Sequence, residues 1–468
     1  MNLNSYINEY YDVIKNSNLF DAEWFCKEYS LDENVDPIDY YLKNEITKTL
    51  NPSSRFNTQF YFNEYLNHNK STLGPLIHYI LYGKYENKLP KPFIFDSKFK
   101  EDYAVLINSD FFDADWFCKE YSLDENVDPI MYYLEYGVEQ NLNPSPNFDT
   151  RFYLENNPSI QNSNINPFVH YILYGKSEDR IPKLYEFSDF KKLNLKKSIR
   201  GLKDYIFLIN DTNFELNQHY DENYISNFNC SKFIEDYLKK KSYFNENNIN
   251  YFYFVVPDKS IICKNLLPFN IQHVKRNVDK IKFIPKFYKN LNYNHYWKND
   301  SHINYEGGKL LTCEFLKYID DEFSTLQFET KINSSNEVES YENSDLLSPK
   351  NWSYTFKERY EVNINKIKYH IPKFFTRLNI PYKFAMDKIR GSEYYFNPDS
   401  ISKYKVIIFR DSSLEYLKYY LGFYFNEMFL YWDHLDLNKE LIEWFNPDMV
   451  LEIRTERFLD NYKSASWI

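Results

Sequence analysis

The chain has 468 residues, with 56 Lys and Arg against 67 Asp and Glu, for a formal charge of −11. Aromatic residues make up 20% of it, with 46 Tyr and 40 Phe, which is too much apolar surface for a disordered chain; its 9 Gly exclude collagen-like and Gly-linker sequence. The acidic balance argues against a general nucleic-acid binder, since neutralising a phosphate backbone needs a cationic face, and no apolar run reaches the ~18–20 residues that span a bilayer.

The start, Met1 to Tyr11, lacks a cationic stretch followed by an apolar one, so it does not read as a secretory signal and the expected location is cytoplasmic. Cys26, Cys118, Cys230, Cys263 and Cys313 are scattered without a CxxC pair. That spacing suggests neither a zinc ribbon nor a disulfide framework, and the thiols are expected to be reduced and buried.

Length alone allows about three domains at ~150 residues each, but the N-terminal part is a repeat. Phe20-Asp21-Ala22-Glu23-Trp24-Phe25-Cys26-Lys27-Glu28-Tyr29 returns, nearly unchanged, at Phe112 to Tyr121, and Pro75 to Lys84 returns at Pro167 to Lys176. A finer period lies inside each copy. Phe-(Asp/Asn) begins a pattern at 20, 56, 112 and 148, and an x-Pro pattern follows at 36, 74, 128 and 166. This predicts four units of two short helices over residues 1–185. Asp or Asn caps the first helix, Pro opens the second, and Gly83, Gly137 and Gly175 sit where a C-cap glycine is expected. The aromatic stripe, with Phe20, Phe112, Trp24 and Trp116, is expected in the core, covered by stacked neighbours. These units resemble the aromatic repeats attached to bacterial glycosyltransferases of surface-polysaccharide biosynthesis. The resemblance supplies a glycan-assembly context and no chemistry; His78 and His170 recur at one repeat position and read as packing or capping residues.

From residue 186 to 468 the period changes. Apolar runs at Tyr205–Ile209, Tyr251–Val256, Lys405–Phe409, Met428–Trp432 and Asp448–Ile453 alternate with helical stretches, predicting an α/β domain with a mainly parallel sheet buried on both faces. The polar stretch 325–350 is expected to be a surface excursion or a partly disordered loop. Glu452, Arg454, Glu456 and Arg457 are expected to form a solvated ion-pair cluster, the competing reading being that they support a site from the end of the last strand.

Two segments can carry acyl-transfer chemistry. The strand ending at Phe409 runs through Arg410 and Asp411 into Ser412, with a helix expected over Leu414–Phe425. A serine there points at the mouth of the sheet, where following N–H groups can face an oxyanion. The competing reading makes Asp411 or Ser412 only an N-cap. The second segment holds Asp300, Ser301 and His302 in a stretch that Gly307-Gly308 marks as a loop. A serine needs a general base, and the base an acidic partner, so Asp300 and His302 supply both types. A surface Asp-x-His without a role is the competing reading. A metal bound by His302 and Glu306 lacks a third ligand, and His434, after Trp432 and Asp433, is an alternative base.

Four stretches, in order over about residues 198–460, resemble the SGNH-hydrolase-like domain of the alginate O-acetyltransferases (AlgJ/AlgX type). Gly201 to Leu208 resembles the family's opening G-x-D-G-W-L-F strand, and Phe254 to Lys259 its F-V-P-x-K stretch. Asp300-Ser301-His302 lies on its D-T-H-W-N motif, and Asp411-Ser412 on its G-D-S block. Arg410 departs from the glycine of that block, and Ile303 from the Trp that follows the His and bears on acceptor stacking. The resemblance implies O-acetylation of a cell-surface polysaccharide with Ser412 as nucleophile, His302 as base and Asp300 as its partner. It implies no resident cofactor or metal: the acetyl donor is a co-substrate, either acetyl-CoA or a membrane acetyl-relay protein. The partners it implies are the polysaccharide acceptor, that relay, and glycosyltransferases reached through the repeats, with no nucleic acid. A carbohydrate O-acetylesterase would use the same three residues, and a non-catalytic scaffold or glycan-binding protein none of them. A glycosyltransferase reading rests on the repeats alone, since residues 186–468 show no Asp-x-Asp metal motif.

Overall fold

The computed structural model describes residues 3–17, 19–67, 73–124, 127–190, 198–209, 213–341, 366–385, 391–432 and 437–462. The chain divides into two compact units, Met1–Lys183 and Leu184–Ile468.

In the first unit, Asp21, Asn57, Asp113 and Asp149 each begin a helix, their side chains accepting the N–H three residues on, from Trp24, Phe60, Trp116 and Phe152, at 2.8 to 3.0 Å. Each such bond satisfies a donor that the first helical turn leaves open. Further helices open on Pro37, Pro75, Pro129 and Pro167, where a missing N–H leaves nothing unpaired. The three glycines do not act as left-handed caps. They close wide i→i+5 turns, and no described glycine has a positive φ. A Cβ at Gly83 or Gly175 would strike the hydroxyl of Tyr61 or Tyr153, and one at Gly137 the ring of Tyr133. Close aromatic contact, not turn conformation, selects glycine here.

Phe25, Tyr41, Tyr61, Phe117, Tyr133 and Tyr153 are fully buried. Phe20, Phe112, Trp24 and Trp116, expected among them, are half-buried at the rims of the clusters. His78 and His170 place Nδ1 at 3.0 and 2.9 Å from the hydroxyls of Tyr61 and Tyr153. The ring pairs Phe25–Tyr40 and Phe117–Tyr132 take the same repeat position in the other two units. Glu45 stands where the other units have glycine, and an additional helix, Leu3–Lys15, reaches it: Tyr6 Oη donates to Glu45 Oε1 at 2.9 Å and accepts the Gly74 N–H at 2.9 Å.

The second unit is built on six strands, β1 (Asn250–Val256), β2 (Thr376–Arg377), β3 (Glu393–Phe396), β4 (Lys405–Arg410), β5 (Glu427–Trp432) and β6 (Met449–Thr455). Their order is β1-β6-β4-β5-β3-β2. The first four are parallel, and β3 and β2 join antiparallel. Val406 and Ile408 share a core with helices Tyr305–Ile319 and Lys418–Tyr424, while Ile407 and Phe409 meet Lys439–Phe445 on the other face. That two-sided cover explains the continuous apolar runs. Ile206–Leu208 does not enter this sheet; it pairs with Ser198–Arg200 in a separate antiparallel hairpin.

Two expectations are corrected. The polar stretch from 325 is ordered through 341: helix Thr325–Asn333 buries Phe328 and Ile332, one i,i+4 stripe that polar neighbours conceal, and Asn336–Tyr341 pairs with Lys366–Ile371. Residues 342–350 lie outside those described. The charges of the last strand are not solvated, since Glu452, Arg454, Glu456 and Arg457 are all buried. Glu452 takes Lys240 Nζ at 2.7 Å, Arg457 reaches Asp258 at 2.5 Å, and Arg276 forks onto Glu456. Their partners come from distant elements, which is why the local sequence hides them. Of the cysteines only Cys263 is fully buried, and burial pushes its thiol up to about 12. Among the described residues no helix is long and apolar enough to cross a membrane.

Glu45 provides a test of the first unit. It is 1% exposed, and burial raises its carboxyl from the ordinary 4.5 to about 7 against the lowering effect of the Tyr6 and Tyr41 hydroxyls. A carboxyl raised on folding contributes stability below its unfolded value and loses that contribution as pH rises through its folded one. Stability of Glu45→Gln relative to the parent should therefore improve steadily from about pH 4 to about pH 8, read as the difference in Tm. A flat difference would mean that folding leaves the carboxyl's affinity for its proton unchanged, and a falling one that the fold lowers it.

Candidate active site

From β4 the chain passes to β5 on one side and then returns to β6 on the other. The carboxyl ends of these strands form the kind of crevice where open α/β sheets hold ligands. Ser412 stands there, just beyond β4. Asp411 is the cap that one reading expected: its carboxylate accepts the Ser413 N–H at 2.8 Å and the Ser413 hydroxyl at 2.6 Å. It also takes the Thr455 N–H at 2.6 Å, clasping the turn to β6. The Ser413 amide is thereby committed to Asp411 and does not face an oxyanion. The continuous helix expected over Leu414–Phe425 is instead a tight 3₁₀ turn, Ser412–Tyr416, followed by a short α-helix, Lys418–Tyr424.

Asp300 and His302 come from a narrow bend. Tyr296 and Ile303 form an antiparallel bridge, Trp297 N–H donates to the His302 carbonyl at 3.3 Å, and Asn304 N–H to that of His295 at 2.9 Å. At its tip Asp300 Oδ1 accepts the His302 backbone N–H at 2.9 Å, an Asx turn, and lies 2.6 Å from His302 Nδ1. On the far side of the ring, Nε2 lies 2.7 Å from Ser412 Oγ. The structure therefore brings all three predicted residues into one chain of contacts. Asp300 is 3% exposed. An ionised carboxylate only accepts, so Nδ1 carries a proton toward Asp300 and Nε2 is left to accept the Ser412 proton. Such a set can activate a serine toward an acyl carbon.

Gly307 and Gly308 do not mark a loop. They lie in the first turn of helix Tyr305–Ile319, whose cap Asn304 accepts the Gly307 N–H at 3.0 Å. A Cβ at Gly308 would strike the Tyr416 carbonyl, and one at Gly307 would strike Ile303 and approach the His295 carbonyl. Lacking a side chain, Gly308 lets the helix backbone touch the Ser412 turn, and Gly307 lets it lie against the bend. The metal reading of His302 with Glu306 is not assembled: both His302 nitrogens face Asp300 and Ser412, and no three-residue metal cluster occurs among the described residues. His434 and Asp433 lie outside the described residues. Ile303 is buried in the core, so it presents nothing to an acceptor; the ring beside His302 is that of Tyr416, with centroids 6.0 Å apart.

Arg410 takes a role that its place in the motif did not suggest. It is buried, with Nη2 at 2.8 Å from Glu393 and Nη1 at 2.7 Å from Glu415, while Lys418 Nζ meets Glu393 at 3.1 Å and Glu415 at 2.6 Å. Two acids and two bases thus brace the Ser412 turn from behind. The Glu415 to Lys418 spacing is visible in the sequence, but Glu393, on β3, is not locally signalled.

Comparison with solved structures finds similar chains at low identity. Bacillus cereus PatB1 with a sulfonyl adduct is 14% identical over 57% of this chain and 97% of its own, with a TM-score of 0.39. The O-acetyltransferase domain of Pseudomonas putida AlgJ is 9% identical over 58% of this chain and 95% of its own, with a TM-score of 0.31. Pseudomonas aeruginosa AlgX is 9% identical over 57% and 63%, with a TM-score of 0.32. The chains to which this one is similar therefore include the AlgJ and AlgX proteins whose motifs its sequence resembles. No protein-family model and no curated protein matches the sequence.

The Asp300–His302 contact makes a sharp prediction. Asp300→Asn presents an amide that can favour the wrong imidazole tautomer, and should slow fluorophosphonate labelling of Ser412 by about 10²- to 10⁴-fold with the circular dichroism unchanged. Labelling at the parental rate would make the working unit a Ser–His dyad.

Proposed function

We propose that the chain is a polysaccharide O-acetyltransferase working through an acyl-enzyme on Ser412. The observation that supports it is the pair of contacts on one imidazole, Nε2 to Ser412 Oγ at 2.7 Å and Nδ1 to Asp300 at 2.6 Å. In the first half-reaction Ser412 Oγ attacks the acetyl carbonyl of the donor as His302 takes its proton. His302 then returns that proton to the departing donor group, leaving acetyl-Ser412. In the second half-reaction a sugar hydroxyl gives its proton to His302 and attacks the ester, and Ser412 is regenerated when His302 protonates Oγ. Asp300 holds the ring and stabilises its charged form. The acetyl group and the polysaccharide acceptor come from the motif resemblance; the triad by itself supports acyl transfer.

The test is labelling followed by turnover. A fluorophosphonate should modify Ser412, with Ser412→Ala losing the label, and the parent should turn over a small activated acetyl ester. Adding an oligosaccharide acceptor should move acetyl onto the sugar, detected by mass spectrometry. Free acetate as the sole product would favour the esterase reading, and a folded parent that neither labels nor turns over would favour a scaffold.

A further inference from the structure

We infer that Lys259, just beyond β1, is a positioning residue for the catalytic bend, an inference that rests on the acyl-transfer reading of the site. Its side chain is buried, with the residue 2% exposed. Its ammonium has three donors, and three backbone carbonyls meet them: Ile206 at 2.7 Å, Lys298 at 2.8 Å and Asp300 at 2.9 Å. The Lys298 carbonyl also receives the Ile206 N–H at 2.8 Å, so this one cation ties strand Ile206–Leu208 to the segment carrying the acid and the base. A second tether acts nearby, as Tyr296 Oη donates to the Pro257 carbonyl at 2.7 Å. The bend is thus secured to the end of β1 on both sides of Trp297.

The consequence is specific to Asp300. Its carbonyl belongs to the peptide that leads into Ser301, and its side chain must serve two donors on His302 at once. Fixing that carbonyl fixes the peptide plane, and with it the direction from which Oδ1 approaches the imidazole. Carbonyls in a buried bend need donors that no sheet ladder provides, and an ammonium of three rotatable donors serves three oxygens that diverge. The neighbouring Asp258 turns the other way, to His219 at 3.0 Å and Arg457 at 2.5 Å. The two residues after Pro257 therefore divide the work: one anchors the strand end, and the other holds the bend.

Lys259→Met keeps the stem and removes the donors. The expected result is a kcat for small acetyl-ester turnover lower by about 10- to 100-fold per active site, with KM within about two-fold. Active sites are counted by fluorophosphonate titration. A structural role alone would lower Tm or the number of active sites while leaving the rate per site in place; that outcome overturns the inference and leaves the acyl-transfer reading standing. Asp258→Asn is the control, expected to reduce Tm without lowering the rate per site. Should Lys259→Met fail to fold, Lys259→Gln, which keeps two donor hydrogens, is measured by the same criteria. A folded parent that neither labels nor turns over overturns both readings.

Discussion

One carboxylate oxygen, Oδ1 of Asp300, accepts from a single residue twice, at the backbone N–H and the ring Nδ1 of His302. The geometry of the site follows from that double contact. The backbone bond curls the chain into an Asx turn, and the curl brings the imidazole of a residue only two positions away around to meet the same oxygen. On an extended segment both side chains would share a face without that contact. Because the acceptor is withdrawn from water, these bonds weigh more than they would at the surface. They set the ring orientation before any substrate arrives.

Around this turn lies a shell of paired charges, most of them buried. Arg410, Glu393 and Lys418, with the partly exposed Glu415, sit behind Ser412, and Glu215, His219, Asp258, Arg276, Glu456 and Arg457 sit at the ends of β1 and β6. Burial opposes the charged form of His219, but the hydrogen bond to Asp258 and the nearby Glu456 prevail and raise it to about 9. Acids and bases are thereby matched in number in each group. Buried ion pairs add little net stability over a well-packed apolar core, yet removing one partner is costly. A matched shell therefore resists local rearrangement more than it stabilises the fold, which suits a site whose reacting atoms must keep their distances.

The sequence made the scaffold legible wherever burial is periodic. Continuous apolar runs marked β1, β4, β5 and β6 to within a residue or two, because a strand covered on both faces leaves a local signature. The antiparallel strands β2 and β3, two and four residues long, passed unnoticed, since runs so short leave little local signature. Asp300, His302 and Ser412 were legible as residue types in motif order. Their contact required a turn that Asp300 itself creates. What remained hidden was every feature set by a particular neighbour in space: the rings that meet the glycines of the repeats, the tether at Lys259, and the braces from Glu393 and Asp258. Polar neighbours likewise concealed the Phe328–Ile332 stripe.

Gly308 shows what such hidden contacts impose. The helix that follows His302 touches the turn that carries Ser412 through main-chain atoms, at the Tyr416 carbonyl. Side chains can absorb a small mismatch by changing rotamer, but peptide planes in contact cannot. The gap between His302 and Ser412 is therefore machined by the main chain and transmitted like a fixed gauge between two parts. For any chemistry that depends on that gap, a displacement of even about 1 Å is enough to lose two orders of magnitude in rate. Along any mutational path from this chain, the helix entrance and the Ser412 turn must travel together.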